Sequence, residues 1–245
     1  MDIISDVNLC YSEHARRYLM ECGLPKERTF VTGSPMAEVL HANLDKIEAS
    51  NVHQRLGLTK GQYILLSAHR EENIDTDRNF VQLFTAVNAM AEKYDMPILY
   101  SCHPRSRKRL EATGFQLDTR VIAHEPLGFL DYNCLQMNAF AVVSDSGTLP
   151  EESSFFLSVG KPFPAVSIRT STERPEALDA GCFVLAGIDA DSLLQAVEMA
   201  VGMQRAECFG TPVAGYTAEN VSMKVARIIQ SYTGIVNKMV WRKDE

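Results

Sequence analysis

Six short apolar runs alternate along most of this chain with segments of helical spacing. Runs of four or five residues that are apolar throughout are typical of parallel strands buried on both faces. Between them, apolar residues recur every three or four positions, as on one face of an amphipathic helix. This alternation predicts an α/β fold, with a doubly wound, Rossmann-like domain over residues 49–215. The predicted strands are Tyr63–Ser67, Ile98–Ser101, Arg120–Ala123, Phe140–Val143, Phe163–Val166 and Cys182–Leu185. Two helical faces are formed by Phe80, Leu83, Phe84, Val87 and Met90, and by Leu193, Leu194, Val197 and Val201.

The part of the chain before this domain carries fewer elements. The segments Asp6–Ser12 and Thr29–Thr32 predict two more strands, and between them a helix runs from Glu13 to Cys22 and ends at Gly23. Two strands and one helix bury too little apolar surface to make an independent domain.

Composition excludes several classes of protein. The formal net charge of −7 argues against a general nucleic-acid-binding protein, because that function needs a basic surface. The six cysteines form no Cys-x-x-Cys pair, which indicates buried reduced thiols and predicts neither a zinc site nor a disulfide framework. We see no secretory leader and no apolar run of about 20 residues. We therefore expect a cytoplasmic protein that has no nucleic-acid or membrane partner and needs no metal or other cofactor.

The segment Ser144–Ser153 follows an apolar run and reads as a strand that ends in a turn opening a helix. At such a turn, free backbone N–H groups and the positive end of the helix dipole favour a phosphate, and Gly147 allows close approach. Pro150 suits the first helical turn, where its missing N–H costs nothing. The alternative is a plain connection in which Ser146 or Thr148 caps the helix.

Other predicted strands also end in polar or aromatic residues. Because ligands bind beyond the carboxyl ends of strands in open α/β sheets, these residues are candidates for a site. Each segment also has a purely structural interpretation. The histidines could be hydrogen-bonded structural residues, and the charged residues a solvated run. Pro175 could start a helix that Gly181 ends, and Tyr132 could be a core residue. The segments are Ala68–Asn73, Cys102–Arg105, Glu125–Tyr132 and Arg169–Pro175.

Four of these motifs together resemble the non-hydrolysing UDP-N-acetylglucosamine 2-epimerase family in order and spacing. They are Ala68–Asn73, His103–Arg105, Ser144–Thr148 and Thr172–Ala177. The resemblance runs from about Ser5 to the C-terminus. Two further segments, His103–Leu110 and Ile228–Thr233, resemble the subgroup that makes UDP-N-acetyl-L-fucosamine from its L-talo epimer for capsule or O-antigen.

The resemblance implies a glycosyltransferase-B architecture, with two Rossmann-like domains and the sugar nucleotide in the cleft between them. Residues 49–215 would form the C-terminal, UDP-binding domain. Residues 1–48 would be a remnant of the N-terminal domain with its linker, and 216–245 a helix that packs back towards that part. We expect a UDP-sugar as substrate and a homodimer as the assembly, or completion by a separate polypeptide that carries the N-terminal domain.

Family roles can be carried over to individual positions by the same resemblance. Tyr132 lies where an aromatic ring stacks on uracil, and Glu152 where a carboxylate takes the ribose hydroxyls. Ser146 and Gly147 lie where backbone N–H groups hold the diphosphate, and Thr148 belongs to the same substrate-binding turn.

The remaining positions concern catalysis and the phosphate or sugar. His69 matches the family's essential cleft histidine, and Arg174 lies where a guanidinium meets the phosphate or sugar. Arg70 and His103 belong to the predicted substrate-binding set, and with Glu72 they match positions that bind a second, activating UDP-N-acetylglucosamine in some bacterial members. The implied chemistry is elimination of UDP to a 2-acetamidoglycal, followed by re-addition with the C2 proton returned to the opposite face.

Four departures from the family pattern bear on function. Glu71 stands where much of the family has a second arginine, Thr148 where many members have glycine, and Pro150 where many have glutamine. The family's carboxylates for proton transfer at C2 lie in the N-terminal domain, upstream of this sequence. We therefore expect a truncated or split epimerase, or alternatively a UDP-sugar-binding module without turnover.

Overall fold

The computed structural model describes residues 2–243, apart from the side chain of Glu72, so that the predicted role of that side chain lies outside the described residues. Eight strands and eleven helices alternate over most of this length. The strands are β1 (Asn8–Cys10), β2 (Thr29–Val31), β3 (Ile64–Ser67), β4 (Ile98–Ser101), β5 (Val121–His124), β6 (Ala141–Ser144), β7 (Ala165–Ile168) and β8 (Val184–Ala186). The helices are α1 (Glu13–Glu21), α2 (Pro35–Glu48), α3 (Val52–Leu56), α4 (Glu71–Ile74), α5 (Asp77–Tyr94), α6 (Pro104–Thr113), α7 (Phe129–Met137), α8 (Leu149–Ser158), α9 (Pro175–Asp179), α10 (Ala190–Arg205) and α11 (Val221–Met239).

The main sheet has six parallel strands in the order β5-β4-β3-β6-β7-β8. Ile64 of β3 is paired with Ile98 on one side and with Ala141 on the other. Numbered from β3 onwards, this order is 3-2-1-4-5-6, that of a Rossmann fold, in which the chain changes direction between the first and fourth strands. The predicted doubly wound α/β fold is confirmed.

Both faces of the four central strands, β4, β3, β6 and β7, are buried, which is why these strands read as nearly uninterrupted apolar runs, whereas the edge strand β5 exposes Ile122. Successive side chains of a strand point to opposite faces, so Ile64 and Leu66 enter one core while Leu65 enters the other. Helices α5 and α10 cover the first face, and α2, α7 and α8 cover the second. The helical faces predicted from Phe80 and from Leu193 are the buried faces of α5 and α10.

Of the predicted strands, only β4 has the predicted boundaries, and the others differ by one or two residues at one or both ends. β7 covers Ala165–Ile168, whereas the sequence pattern predicts Phe163–Val166. Pro164 has no N–H to donate, so it contributes only its carbonyl, which accepts a bond from the Val142 N–H at 2.8 Å. The edge strand β8 likewise begins at Val184, two residues after the predicted start at Cys182.

The strands β1 and β2 form a separate two-stranded parallel sheet, which α1 contacts. We call residues 2–34, which include this sheet and α1, the first unit. Helix α11 packs on it: the Tyr232 ring meets Phe30 edge-on at 4.8 Å, and its hydroxyl donates to the Glu27 carbonyl at 2.7 Å. The division of the chain at residues 48 and 215 stays a prediction. Among the helices described, none combines the length and apolar composition that crossing a membrane requires.

Candidate functional site

A cleft of about 480 Å³ opens at the carboxyl ends of β3, β4 and β6, where the strand order reverses. This is the position at which Rossmann-like sheets hold their ligands, and the volume is in the range of small-molecule sites. The cleft brings together six of the predicted site residues. They are His69, His103, Tyr132, Ser146, Thr148 and Glu152. Ser67, Ser101, Arg105 and Pro126 complete its lining.

Asp145, which the sequence analysis did not assign to the site, fixes one end of the cleft. Its side chain is fully buried directly after β6, and Oδ2 accepts the backbone N–H groups of His69 at 2.9 Å and Arg70 at 2.8 Å. The Asn73 side-chain amide donates to the same oxygen at 3.1 Å. One carboxylate thus ties the loop after β3 to the end of β6 and sets the backbone at His69. The sequence feature that could have indicated this role is an acidic residue directly after a buried strand.

His69 is exposed to the cleft. Its Nε2 lies 3.2 Å from the Ser67 hydroxyl, whereas its backbone is held by Asp145. A histidine with a fixed backbone and an accessible ring can take or return a proton at a ligand within hydrogen-bonding reach. This geometry is compatible with the catalytic role that the sequence predicts for His69, and the role stays a prediction.

The turn before α8 has the predicted strand-turn-helix form, with Pro150 in the first helical turn. Two of its backbone N–H groups are already bonded: that of Ser146 donates to Ser144 Oγ at 3.0 Å, and that of Thr148 to Ser146 Oγ at 3.3 Å. The Gly147 N–H has no partner within residues 2–243. An anion at this turn would bind Gly147 directly and would compete with serine hydroxyls for the other two groups.

Glu152 lies one turn into α8 with its side chain largely buried at the cleft. Its Oε2 accepts the Gln136 amide at 2.7 Å, and its Oε1 accepts the Thr148 hydroxyl at 2.8 Å. Burial raises the pKa of this carboxyl above its ordinary value, and the hydrogen bonds from Gln136 and Thr148 oppose that rise. Thr148, at the N-cap position, makes no side-chain capping bond, because its hydroxyl is given to Glu152.

Tyr132, on α7, both lines the cleft and packs against the core of the second sheet face. Burial raises the pKa of its phenol, so the ring is neutral at physiological pH. A half-buried, neutral aromatic ring at a cleft wall can stack on a planar base. Tyr132 can therefore be both a core residue and a ring that stacks on a base, which are the two alternatives that the sequence leaves open.

His103 and Arg105 line the cleft from the start of α6. His103 is the N-cap residue, and its Nδ1 accepts the Arg105 backbone N–H at 3.3 Å. The Arg105 guanidinium bonds both carboxylate oxygens of Asp75 at 2.8 and 2.9 Å, and Glu71 Oε1 at 3.1 Å. The Glu71 carboxylate thus neutralises part of the positive charge of Arg105, which lines the cleft.

Arg70 and Gly147 lie beside each other at the edge of the cleft. Arg70 Nε donates to the Asp145 carbonyl at 2.8 Å, and a Cβ added to Gly147 would lie 3.4 Å from Arg70 Nη2. A guanidinium next to an unpartnered backbone N–H is a favourable arrangement for a phosphate group.

The structure does not bring Arg174 into this cleft. Its guanidinium donates to Glu151 Oε1 from Nε at 3.1 Å and from Nη2 at 2.9 Å, and it lies over the Tyr11 ring at 5.1 Å. It lines a neighbouring groove of about 780 Å³ between the first unit and α9. Pro175 begins α9 and Gly181 follows its end, as the structural alternative predicts.

Within residues 2–243, no group of three or more His, Cys, Asp or Glu side chains is placed to hold a metal ion. The groups that the cleft offers are backbone N–H groups, guanidinium groups, hydroxyls, the two histidines His69 and His103, and one buried carboxylate, that of Glu152. Fold and cleft together define a Rossmann-like α/β protein with an anion-compatible turn at its switch point.

Comparison with known proteins identifies the family. The model of the UDP-N-acetylglucosamine 2-epimerase family matches residues 1–230, and the chain belongs to this family. It is 30% identical over 212 residues to the UDP-N-acetylglucosamine 2-epimerase of Methanocaldococcus jannaschii, covering 83% of this chain and 56% of that protein. The corresponding Methanococcus maripaludis protein is 32% identical, with 80% of this chain and 54% of the relative covered.

Solved structures agree with this assignment. The UDP-N-acetylglucosamine 2-epimerase of Rickettsia bellii superposes with a TM-score of 0.88 at 40% identity, over 99% of this chain and 64% of that one. The Methanocaldococcus jannaschii enzyme in complex with UDP-GlcNAc and UDP gives a TM-score of 0.80 at 28% identity, over 92% of this chain and 62% of that one. The chain thus spans about half the length of the curated relatives it matches.

Proposed function

We propose that this chain supplies the UDP-binding site of a sugar-nucleotide 2-epimerase that acts on a UDP-N-acetylhexosamine. The observation that carries the proposal is the convergence, in a member of this family, of an aromatic ring, an anion-compatible turn and a histidine at one switch point. The solved Methanocaldococcus jannaschii relative, in complex with UDP-GlcNAc and UDP, supports a UDP-sugar as the ligand.

In this proposal, different residues of the cleft bind different parts of the UDP-sugar. Tyr132 stacks on uracil, and Glu152 accepts the ribose hydroxyls in place of the bond that Thr148 now gives it. The turn at Ser146 and Gly147 receives the diphosphate. Arg70, whose guanidinium lies beside that turn, adds a positive charge.

The proposed reaction begins when a base removes the proton on C2 and the C1–O bond to UDP breaks. The products of this step are the 2-acetamidoglycal and UDP, whose diphosphate takes the bonding electron pair. Re-addition of UDP to C1 with a proton delivered to the other face of C2 gives the epimer. Stabilising the charge on the leaving diphosphate is the contribution of this part of the chain, through the turn and Arg70. His69, exposed at the cleft, is the proposed proton-transfer group.

A narrower substrate assignment follows the subgroup resemblance. We propose UDP-2-acetamido-2,6-dideoxy-L-talose as substrate and UDP-N-acetyl-L-fucosamine as product, for capsule or O-antigen synthesis. The segments His103–Leu110 and Ile228–Thr233 support it, and Arg105 of the first segment lines the cleft. Comparing turnover of this substrate with that of UDP-N-acetylglucosamine would test the choice. Faster conversion of UDP-N-acetylglucosamine would contradict it.

Titration calorimetry with UDP tests the binding half of the proposal. We expect heat at millimolar UDP or below, and about a tenfold weaker affinity for Tyr132→Ala, because base stacking on an aromatic ring is worth about 1–3 kcal/mol. Asp118→Asn removes a carboxylate paired with Arg120 before β5, remote from the cleft, and serves as the control. The absence of heat from folded protein would refute UDP binding. Arg174 stays a predicted phosphate or sugar contact, which an unchanged UDP affinity in Arg174→Gln would rule out.

The second candidate, UDP-sugar binding without turnover, is favoured by one feature of the cleft. Among its described lining residues the only carboxylate is Glu152, and both of its oxygens are already hydrogen-bonded. Proton transfer at C2 needs an acid or base within roughly 3 Å of that proton, directly or through one water. The cleft does offer His69, but by the family resemblance the carboxylates that transfer the C2 proton belong to the N-terminal domain, so we expect no C2 deuterium incorporation from D₂O by this chain alone.

Adding a polypeptide with the N-terminal domain, fused or separate, is expected to restore both exchange and epimerisation. His69→Ala in that complete enzyme should then lose most of the rate. Robust exchange by the 245-residue chain alone would eliminate the second candidate. Light scattering of both forms tests the proposed homodimer.

A further inference from the structure

Glu151 is a buried carboxylate on the first turn of α8, next in sequence to Glu152 but engaged elsewhere. Its side chain is almost completely enclosed, with 3% of the residue exposed. Oε1 accepts both Nε and Nη2 of Arg174, and Oε2 accepts the Ser34 hydroxyl. Both oxygens therefore have donors, as a buried charge requires.

The two partners of Glu151 attach it to the first unit. Ser34 is the last residue of that unit and the N-cap of α2, where its Oγ accepts the Met36 N–H at 3.1 Å. Arg174 carries the contact further, because its guanidinium stacks over Tyr11, the residue after β1. Glu151 is thus bonded at once to the start of α2 and, through Arg174, to the end of β1.

The same helical turn carries the candidate diphosphate site. The Ser146–Thr148 turn directly precedes α8, and Glu152 points into the cleft from the position next to Glu151. Adjacent helical residues project about 100° apart, so one short rigid segment faces the cleft on one side and the first unit on the other. A change in the length of the Glu151 side chain must move either its partners or the turn.

We propose that Glu151 is a positioning residue, which holds the diphosphate turn in register with the first unit and so sets the affinity of the cleft for the nucleotide. The inference rests on the proposed function, since it assigns UDP to that cleft. The proposed role depends on the length of the Glu151 side chain as much as on its charge. Aspartate at this position keeps the charge but withdraws the carboxylate by one methylene, whereas glutamine keeps the reach and can still accept from Arg174.

The experiment compares Glu151→Asp with Glu151→Gln. We expect Glu151→Asp to weaken UDP binding about tenfold, because small misplacements of a binding group are costly, and Glu151→Gln to weaken it less than about threefold. The backbone amide resonances of Gly147 and Thr148 should move in unliganded Glu151→Asp. Glu198→Asp, the same change in α10 at an exposed pair with Lys93, is the control and should move neither readout.

Three results would overturn the inference: wild-type amide resonances in folded Glu151→Asp, wild-type UDP affinity in that variant, or a larger loss with glutamine than with aspartate. If Glu151→Asp does not fold, Ser34→Ala removes one donor only and should shift the same two amides. If the wild-type chain binds no UDP, the proposed function fails, while the amide resonances of the unliganded proteins still decide the positioning role.

Discussion

Individual buried carboxylates hold much of this site in place, and each accepts hydrogen bonds from several donors. Asp145 gathers two backbone N–H groups and the Asn73 amide on a single oxygen. Hydrogen bonds to an ionised acceptor are roughly twice as strong as neutral ones, so this side chain stiffens the loop that carries His69. Its effect on the site is therefore indirect but specific.

Asp145→Asn should lower the free energy of unfolding by about 1–3 kcal/mol, because it removes the charge from bonds that a buried carboxylate accepts. The imidazole C–H resonances of His69 should shift in the same variant. Asp189→Asn is the matched control: Asp189 caps α10 through one bond to the Ser192 N–H, and asparagine caps equally well. Urea denaturation measures the stability. Equal effects of the two variants would contradict the role given to Asp145.

The raised pKa of Glu152 makes a prediction about pH. Folding favours its protonated form, so its contribution to stability is greatest below the ordinary carboxyl pKa and is lost as pH rises through the raised folded value. Glu152→Gln should therefore gain stability relative to the wild type as the pH rises above the ordinary carboxyl pKa. Gln136 can turn to present its unpartnered Oε1 to the new amide. A stability difference that does not change with pH would contradict this prediction.

At the scale of elements, Arg105 of α6 pairs with Glu71 of α4 and with Asp75, the residue that follows α4, beside the cleft. The pairs are exposed, so they contribute only about 0–1 kcal/mol to stability, but they cancel positive charge where an anionic ligand would enter. The charge of short helices flanking the cleft can thus tune binding without altering the fold.

Glu71→Arg should strengthen UDP binding about two- to fivefold at low salt, because it frees Arg105 from one carboxylate and adds a second positive charge. The gain should disappear in high salt, where exposed charges are screened. Glu198→Arg, which makes the same change of charge beside Lys93, should have no effect. Calorimetry at two salt concentrations distinguishes these cases. If the gain in UDP affinity persisted in high salt, the prediction that it comes from exposed charges would be wrong.

At the scale of the whole molecule, the first unit is fastened to the rest by close backbone contacts as well as by Glu151. The Gly215 carbonyl accepts the Ser34 N–H at 2.7 Å. A Cβ added to Gly215 would lie 2.2 Å from the Tyr11 carbonyl oxygen. Only glycine permits this approach, so the segment before α11 and the end of β1 are packed backbone to backbone.

Gly215→Ala should lower the free energy of unfolding by about 2–3 kcal/mol through overpacking. Gly234→Ala, inside α11 with no atom within 4 Å of the added Cβ, should instead raise it by about 0.5–1 kcal/mol. Denaturant titration of the two variants measures the contrast. A neutral Gly215→Ala would mean that the first unit can move away from this segment.

The sequence by itself determined the elements and the edge of the sheet at which the site lies. Apolar runs such as Ile98–Ser101 are local patterns, and the polar residues that follow them must meet at one edge of a parallel sheet. His69, His103 and Glu152 could therefore be predicted together. The start of β7 could not, because it depends on the pairing of its neighbour β6 around Pro164.

Only the tertiary structure decided which partners the charged side chains take. Arg174 is suited by type and position to a phosphate, yet its guanidinium is held by Glu151, which is also bonded to Ser34, 117 residues away. Asp145 meets Asn73 across 72 residues. Ion pairs and hydrogen bonds act over a few ångströms and leave no periodic trace in sequence, so their partners are set by which elements the folded sheet brings into contact.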